Sequence, residues 1–197
     1  MSKVDITQVI CDINKKFTAI KSELTKSDLI ISISDCLEQH YICFSYNDVI
    51  NKSYSKFDTI PKNKKGIYLF EGKYKTNSKN NWEYFKDKWK LVDYTPDIVY
   101  ARHKEHDYSV DVYIPLYAGA ATKSISERIL QHVFAEKKNG FLKSTSALRL
   151  HQHIQQDAVF NLEFKVKYVE IDIAKELFPI LENRIREYRN CIIGKNT

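Results

Sequence analysis

Apolar side chains at Ile6, Val9, Ile10, Ile13, Phe17, Ile20 and Leu24 recur at intervals of three and four. That is the period of one helical face, and it predicts an amphipathic helix over roughly residues 5–24. Ser27 and Asp28 then read as an N-cap for a second helix carrying Leu29, Ile30, Ile33 and Leu37. Residues 40–45 are strand-like, and the polar run 46–65, with Pro61 and four neighbouring Lys and Asn residues, reads as a connection. Gly66 to Glu71 is a β-branched and aromatic strand. Residues 98–101 and 108–118 look like further strands, and 159–171 is the clearest of all. Ser124 or Ser126 can cap a helix bearing Ile129, Leu130 and Val133 that ends near Gly140. A last helix covers roughly residues 173–189, with Leu177, Ile180, Leu181 and Ile185 inward. The expected fold class is therefore α/β (α+β), with a small mixed or antiparallel sheet flanked by helices. Residues 1–60 form a helical N-terminal extension, and residues 61–197 a single domain.

Composition narrows the function. The chain is 43% hydrophobic and 28% charged, enough apolar material to exclude a disordered chain. Lys and Arg exceed Asp and Glu by six, which favours a polyanionic partner, nucleic acid above all. No apolar run of about 18 residues exists, so a membrane-spanning helix is not expected. The first residues lack the pattern of a secretory signal. Cys11, Cys36, Cys43 and Cys191 are scattered and form no Cys-x-x-Cys pair, so they read as reduced thiols of a cytoplasmic protein.

The informative constellation joins Gly66-Ile67-Tyr68 on one strand, Tyr117-Ala118-Gly119 on another, Arg128 and His132 on the following helix, and Glu182 on the last helix. Arg128 and His132 are four apart and share one helical face. In these residues the chain resembles the GIY-YIG nuclease family from Gly66 to Thr197, about two-thirds of its length. The resemblance implies hydrolysis of a DNA phosphodiester with one Mg²⁺ per active site, Mn²⁺ serving as a substitute. It casts Tyr68 as the group that orients or deprotonates the attacking water, and Tyr117 as a positioner of water or phosphate. Arg128 becomes the phosphate clamp, His132 the aid to the tyrosine, and Glu182 the metal's only protein ligand. Magnesium retains waters and accepts a single carboxylate, so a carboxylate cluster is not required.

The chain departs from the family pattern in two places. Tyr68 and Tyr117 stand 49 positions apart, where the family uses a much shorter hairpin, so residues 72–110 read as an insertion. The family also expects an Asn after the metal Glu. Asn190 is the favoured candidate for that catalytic role and Asn196 the other, because position 194 is Gly. Compact size and the large insertion look like a sequence-specific, restriction-type endonuclease acting as a homodimer on double-stranded DNA. The alternatives are a repair, mobile-element or phage-defence nuclease, or a catalytically silent nucleic-acid-binding protein of the same fold. Lys123, Lys143, Arg149, Lys73 and Lys75 are candidate DNA contacts.

Plainer readings stand beside these. Tyr68 and Tyr117 could be sheet tyrosines in an aromatic-rich chain, and Glu182 could pair with Arg186 one helical turn on. His103 and His106, with Glu105 and Asp107, and the pair His151 and His153, are weaker metal candidates. The lysine- and aromatic-rich stretch 73–90 fits either a DNA contact or a loop with its own aromatic cluster. The two N-terminal helices fit packing or dimerisation better than groove reading.

Overall fold

A computed structural model of the chain describes residues 6–76, 78–90, 100–101, 106–134, 136–137, 140–141, 148, 150–151 and 162–194. Its centre is a four-stranded antiparallel sheet built from β1 (Tyr41–Ser45), β2 (Gly66–Tyr74), β4 (Ile114–Ala121) and β7 (Leu162–Glu170), in the order β1-β7-β2-β4. Strand β2 is central and carries apolar residues on both faces. Ile67 and Leu69 pack with Ile30 and Leu37 of α2 (Ser27–Leu37) and Phe178, Leu181 and Ile185 of α6 (Phe178–Tyr188). Tyr68 and Phe70 face the other way, onto Phe44, Phe57 and the Ile125, Ile129 and Val133 side chains of α5 (Ile125–Phe134). The chain is an α+β fold with helices on both faces of an antiparallel sheet.

Both motif glycines answer to close approach. A Cβ at Gly66 would stand 2.0 Å from the Val169 carbonyl oxygen, and one at Gly119 would stand 2.3 Å from Tyr68 Oη. The register Tyr68↔Gly119 lays the phenol across the glycine of the neighbouring strand.

Several elements differ from the sequence expectation. The supposed connection 46–65 holds α3 (Tyr46–Ile50), where Ser45 and Asp48 form a capping box, and a short 3₁₀ turn at Tyr54–Phe57. Strand β2 runs three residues past Glu71, and β4 begins at Ile114 and continues beyond Gly119. The polar stretch that follows β2 contains α4 (Ser78–Lys90). On α4, Trp82, Phe85 and Lys86 are buried, with Trp82 against Tyr74 and Lys86 over the Tyr108 ring, so this part of the insertion is core. Helix α2 begins at Ser27 with Lys26 as its N-cap and no side-chain capping bond. Helix α5 ends at Phe134, not near Gly140. Its N-terminus uses Ser124, whose Oγ accepts from the Glu127 amide at 3.3 Å. The last helix is split into a 3₁₀ turn, Lys175–Leu177, and α6, on which Ile180 is only half-buried.

The short strands β3 (Tyr100–Ala101) and β8 (Ile193–Gly194) pair with each other, as do β5 (Glu136–Lys137) and β6 (Gly140–Phe141). The chain after α6 runs along the free edge of β4, with the Ile192 amide donating to the Pro115 carbonyl at 3.1 Å. It thereby shields an edge strand that would otherwise offer unpaired backbone groups.

Helix α1 (Ile6–Leu24) forms as expected, but residues 11–23 are exposed around the whole circumference. On the other side of the sheet from Tyr68, buried Glu71 and Lys167 lie 2.9 Å apart. Lys167 also meets Glu38 at 2.5 Å, and Arg189 bridges Glu38 at 2.7 Å and Glu71 at 3.1 Å. The four charges balance and tie α2 to the sheet and to the end of α6. None of the described helices is long and apolar enough to cross a membrane.

Candidate active site

The site straddles β4, the edge strand that faces α5 on one side of the sheet and α6 on the other. Strand β2 supplies Tyr68, β4 supplies Tyr117, one face of α5 supplies Arg128 and His132, and α6 supplies Glu182. Tyr68 Oη lies 2.7 Å from His132 Nε2. The His132 ring sits 5.2 Å from the Tyr68 ring and 5.1 Å from the Tyr117 ring, centroid to centroid. The two tyrosine rings are 6.4 Å apart. Arg128 hydrogen-bonds Tyr68, and its Nη1 donates to Gln131 Oε1 at 3.0 Å.

The hydrogen bonds fix the tautomer of His132. The Leu148 backbone N–H donates to Nδ1 at 2.7 Å, so Nδ1 carries a lone pair and the proton of the neutral ring sits on Nε2. Nε2 therefore donates to the Tyr68 oxygen, and His132 steadies that oxygen as a donor. It is not positioned to take the phenol's proton. Burial, aided by the neighbouring Arg128 charge, holds the His132 pKa well below its ordinary value, so the ring is neutral.

Burial also holds the Tyr68 and Tyr117 hydroxyls above their ordinary pKa values. The Glu182 charge pushes in the same direction, and Arg128 opposes both. Tyr68 is 0% exposed and Tyr117 4%. Beside these enclosed phenols, Arg128 is half-buried and the Glu182 side chain is 24% exposed. Glu182 is raised above its ordinary pKa by burial, against the pull of Arg186 and Arg128. Its carboxylate accepts from the Ala120 backbone N–H and pairs with Arg186 Nη2 at 2.5 Å.

Glu182 could hold one hydrated cation, because its partly open carboxylate leaves room for waters. Among the described residues no group of three or more His, Cys, Asp or Glu side chains gathers to hold a metal. His106 serves the fold: its Nε2 donates to the Asn190 carbonyl at 2.8 Å. His103, Glu105 and His153 lie outside the described residues, while Asp107 is exposed and His151 half-buried.

Asn190 takes a left-handed backbone conformation, φ 52°, just past the end of α6, a position that Gly and Asn fill readily. Asn196 lies outside the described residues, as do Lys143 and Arg149. Lys123 is exposed on the turn leading into α5. Lys73 is paired with Asp111 at 3.4 Å and Glu163 at 3.5 Å, and Lys75 with Glu163 at 3.3 Å. These two lysines sit about 17–23 Å along the strand direction from Tyr68 at roughly 3.3 Å per residue.

The spacing of Glu182 and Arg186 made their pairing readable, but not the near-complete burial of Arg186. The Leu148 amide had no sequence signal at all, since any residue but Pro supplies it. No family model, curated protein or solved structure matches the chain.

Proposed function

We propose that the chain is a metal-dependent DNA endonuclease of the GIY-YIG type. The observation that carries this reading is the convergence of Tyr68, Tyr117, Arg128, His132 and Glu182, from four separate elements, on one end of β4. Arg128 supplies a fixed guanidinium for the charge that develops on a phosphate oxygen. Its positive field also opposes the burial that keeps Tyr68 protonated, and so favours the phenolate. His132, donating from Nε2, holds the Tyr68 oxygen in one place, and once the phenol has lost its proton to solvent that oxygen can accept a proton from an attacking water. Glu182 is the residue that would hold Mg²⁺, which when bound supplies Lewis-acid stabilisation of the leaving oxygen. Neutralising Glu182 also removes the negative charge that raises both tyrosines.

The substrate of this reading is double-stranded DNA, and the mode is sequence-specific cleavage by a homodimer in the cytoplasm. The excess of six positive charges supports a polyanionic substrate. The dimer rests on α1, whose Ile13, Phe17 and Ile20 are 59%, 45% and 47% exposed. Ile6, Ile10, Ile13, Phe17, Ile20 and Leu24 follow a 4-3-4-3-4 spacing, the seam of a two-helix coiled coil. A second copy presenting the same seam would cover it.

A non-cleaving DNA-binding protein is the second reading, favoured by the complete enclosure of Tyr68. Incubating purified protein with supercoiled plasmid and Mg²⁺, and sequencing the product ends, separates the two. Linear fragments with one shared end sequence support the restriction-type reading. Random nicks move it to a structure-directed nuclease. Bound but intact plasmid supports the second reading.

A further inference from the structure

Glu182 is held by more positive charge than its metal role requires. Arg186 Nη2 lies 2.5 Å from Glu182 Oε1, and the charges of both Arg186 and Arg128 act on that carboxylate. Arg186 is only 8% exposed, and its Nε is buried with no hydrogen-bond partner among the described residues. An exposed pair at this spacing contributes little and forms and breaks freely. A buried guanidinium has no comparable solvent to retreat into, so its attachment to Glu182 is persistent. The charge of Arg186 also reaches the Tyr117 hydroxyl and the Cys191 thiol, which places it within the electrostatic reach of the site.

We propose that Arg186 is a resident counter-ion that competes with the divalent metal for Glu182, so that the metal loads well only once a substrate phosphate is present. The proposal rests on the nuclease reading of Glu182. In the free protein one carboxylate faces two guanidiniums, and an added divalent cation meets net repulsion. A DNA phosphate brings negative charge against Arg128 and Arg186, reverses that balance and lets the carboxylate turn to the metal. Metal and DNA then bind cooperatively, and the coupling is reciprocal. Arg186 is thus a positioning residue: it sets the order of assembly and does not itself touch the reacting atoms.

The test reads metal binding directly, by electron paramagnetic resonance titration of Mn²⁺ into DNA-free protein at fixed pH. Arg186→Met keeps the length of the side chain and removes its charge, and should tighten Mn²⁺ binding by about 5-fold or more, the lower end of ordinary site coupling. Arg186→Lys keeps the charge and should bind as the native protein does. Arg184→Met, at an exposed neighbour paired with Glu187, should change nothing. Adding Glu182→Gln to Arg186→Met should abolish the gain. Circular dichroism melts identify any variant that fails to fold, and Arg186→Gln then replaces Arg186→Met. Unchanged or weaker Mn²⁺ affinity in a folded Arg186→Met protein overturns the counter-ion proposal even if the native protein cleaves DNA. A gain that survives Glu182→Gln also overturns it, because the added ion then sits elsewhere. No Mn²⁺ binding by any variant, together with no cleavage, overturns the nuclease reading beneath it.

Discussion

Substituting Gly119 by Ala probes the closest contact in the site. The new Cβ would stand 2.3 Å from Tyr68 Oη and 2.5 Å from Cζ, about 1 Å short of an ordinary contact. The phenol has little room to yield. It is 0% exposed, with Phe70 edge-on at 6.0 Å, Tyr117 at 6.4 Å and His132 at 5.2 Å between centroids. Overpacking of this kind costs about 1–3 kcal/mol. For a chain of this size each kcal/mol lowers Tm by about 2–4 °C, so the expected fall is about 2–12 °C. A shift of about 1 Å would also stretch the 2.7 Å bond between Tyr68 and His132 beyond hydrogen-bonding range. Cleavage should then drop by about 10²-fold, the usual penalty for misplacement on that scale. The assays are a urea or thermal melt and a plasmid-cleavage time course. The decisive control is Gly119→Ala in a Tyr68→Leu background. With the ring gone the added methyl has space, and its cost should shrink to a small fraction of the single-variant value, giving a coupling energy of about 1–3 kcal/mol. A Gly119→Ala protein with native Tm and native activity would refute the packing argument.

The motif residues were legible because short-range spacing dictated their placement. Arg128 and His132 share a face of α5 by helical geometry alone, and the β-branched and aromatic run after Gly66 made β2 legible as a strand, though not which side Tyr68 faces. The reason for Gly119 became visible only in the register Tyr68↔Gly119, a pairing across 51 positions that no local pattern encodes. In the insertion the aromatic cluster was legible as one alternative, but its place on a buried helix was not, for a related reason. Lysines and aromatics alternate there in a way that suits a surface, yet tertiary contacts bury Trp82 and Phe85 and fold Lys86 over Tyr108. Long charged side chains bury their stems readily, so charge counted along the sequence overstates exposure. The network Glu38–Glu71–Lys167–Arg189 likewise joins residues from four elements and gives no local signal.

Three further outcomes are expected. His132 is neutral in the fold and would protonate in the unfolded chain near pH 6.5, so stability should fall as pH drops below that value, by up to about 1.4 kcal/mol per pH unit. Urea unfolding at pH 7.5, 6.5 and 5.5 should show that slope reduced in His132→Gln, and an identical slope in both proteins counts against a neutral buried ring. Lys167→Met leaves Glu71 buried with Arg189 as its remaining partner in the network, and should destabilise by about 3–5 kcal/mol in the same assay. A change under 1 kcal/mol would show that the network is not held together by Lys167. Phe17→Glu should convert a dimer to a monomer in light scattering after gel filtration, and a native protein that is already monomeric at working concentration removes α1 from the account.

In the nuclease reading Tyr68 and Glu182 act together in phosphodiester hydrolysis, and the decisive measurement is single-turnover cleavage of plasmid DNA in Mg²⁺. Native protein should cleave, and EDTA should stop it. Tyr68→Phe and Glu182→Gln, both close in shape to the native side chains, should each lose about 10²-fold or more in rate while retaining native melting behaviour and DNA binding. Cleavage by either variant at the native rate, or an intact plasmid with the native protein across Mg²⁺ and Mn²⁺, would contradict it.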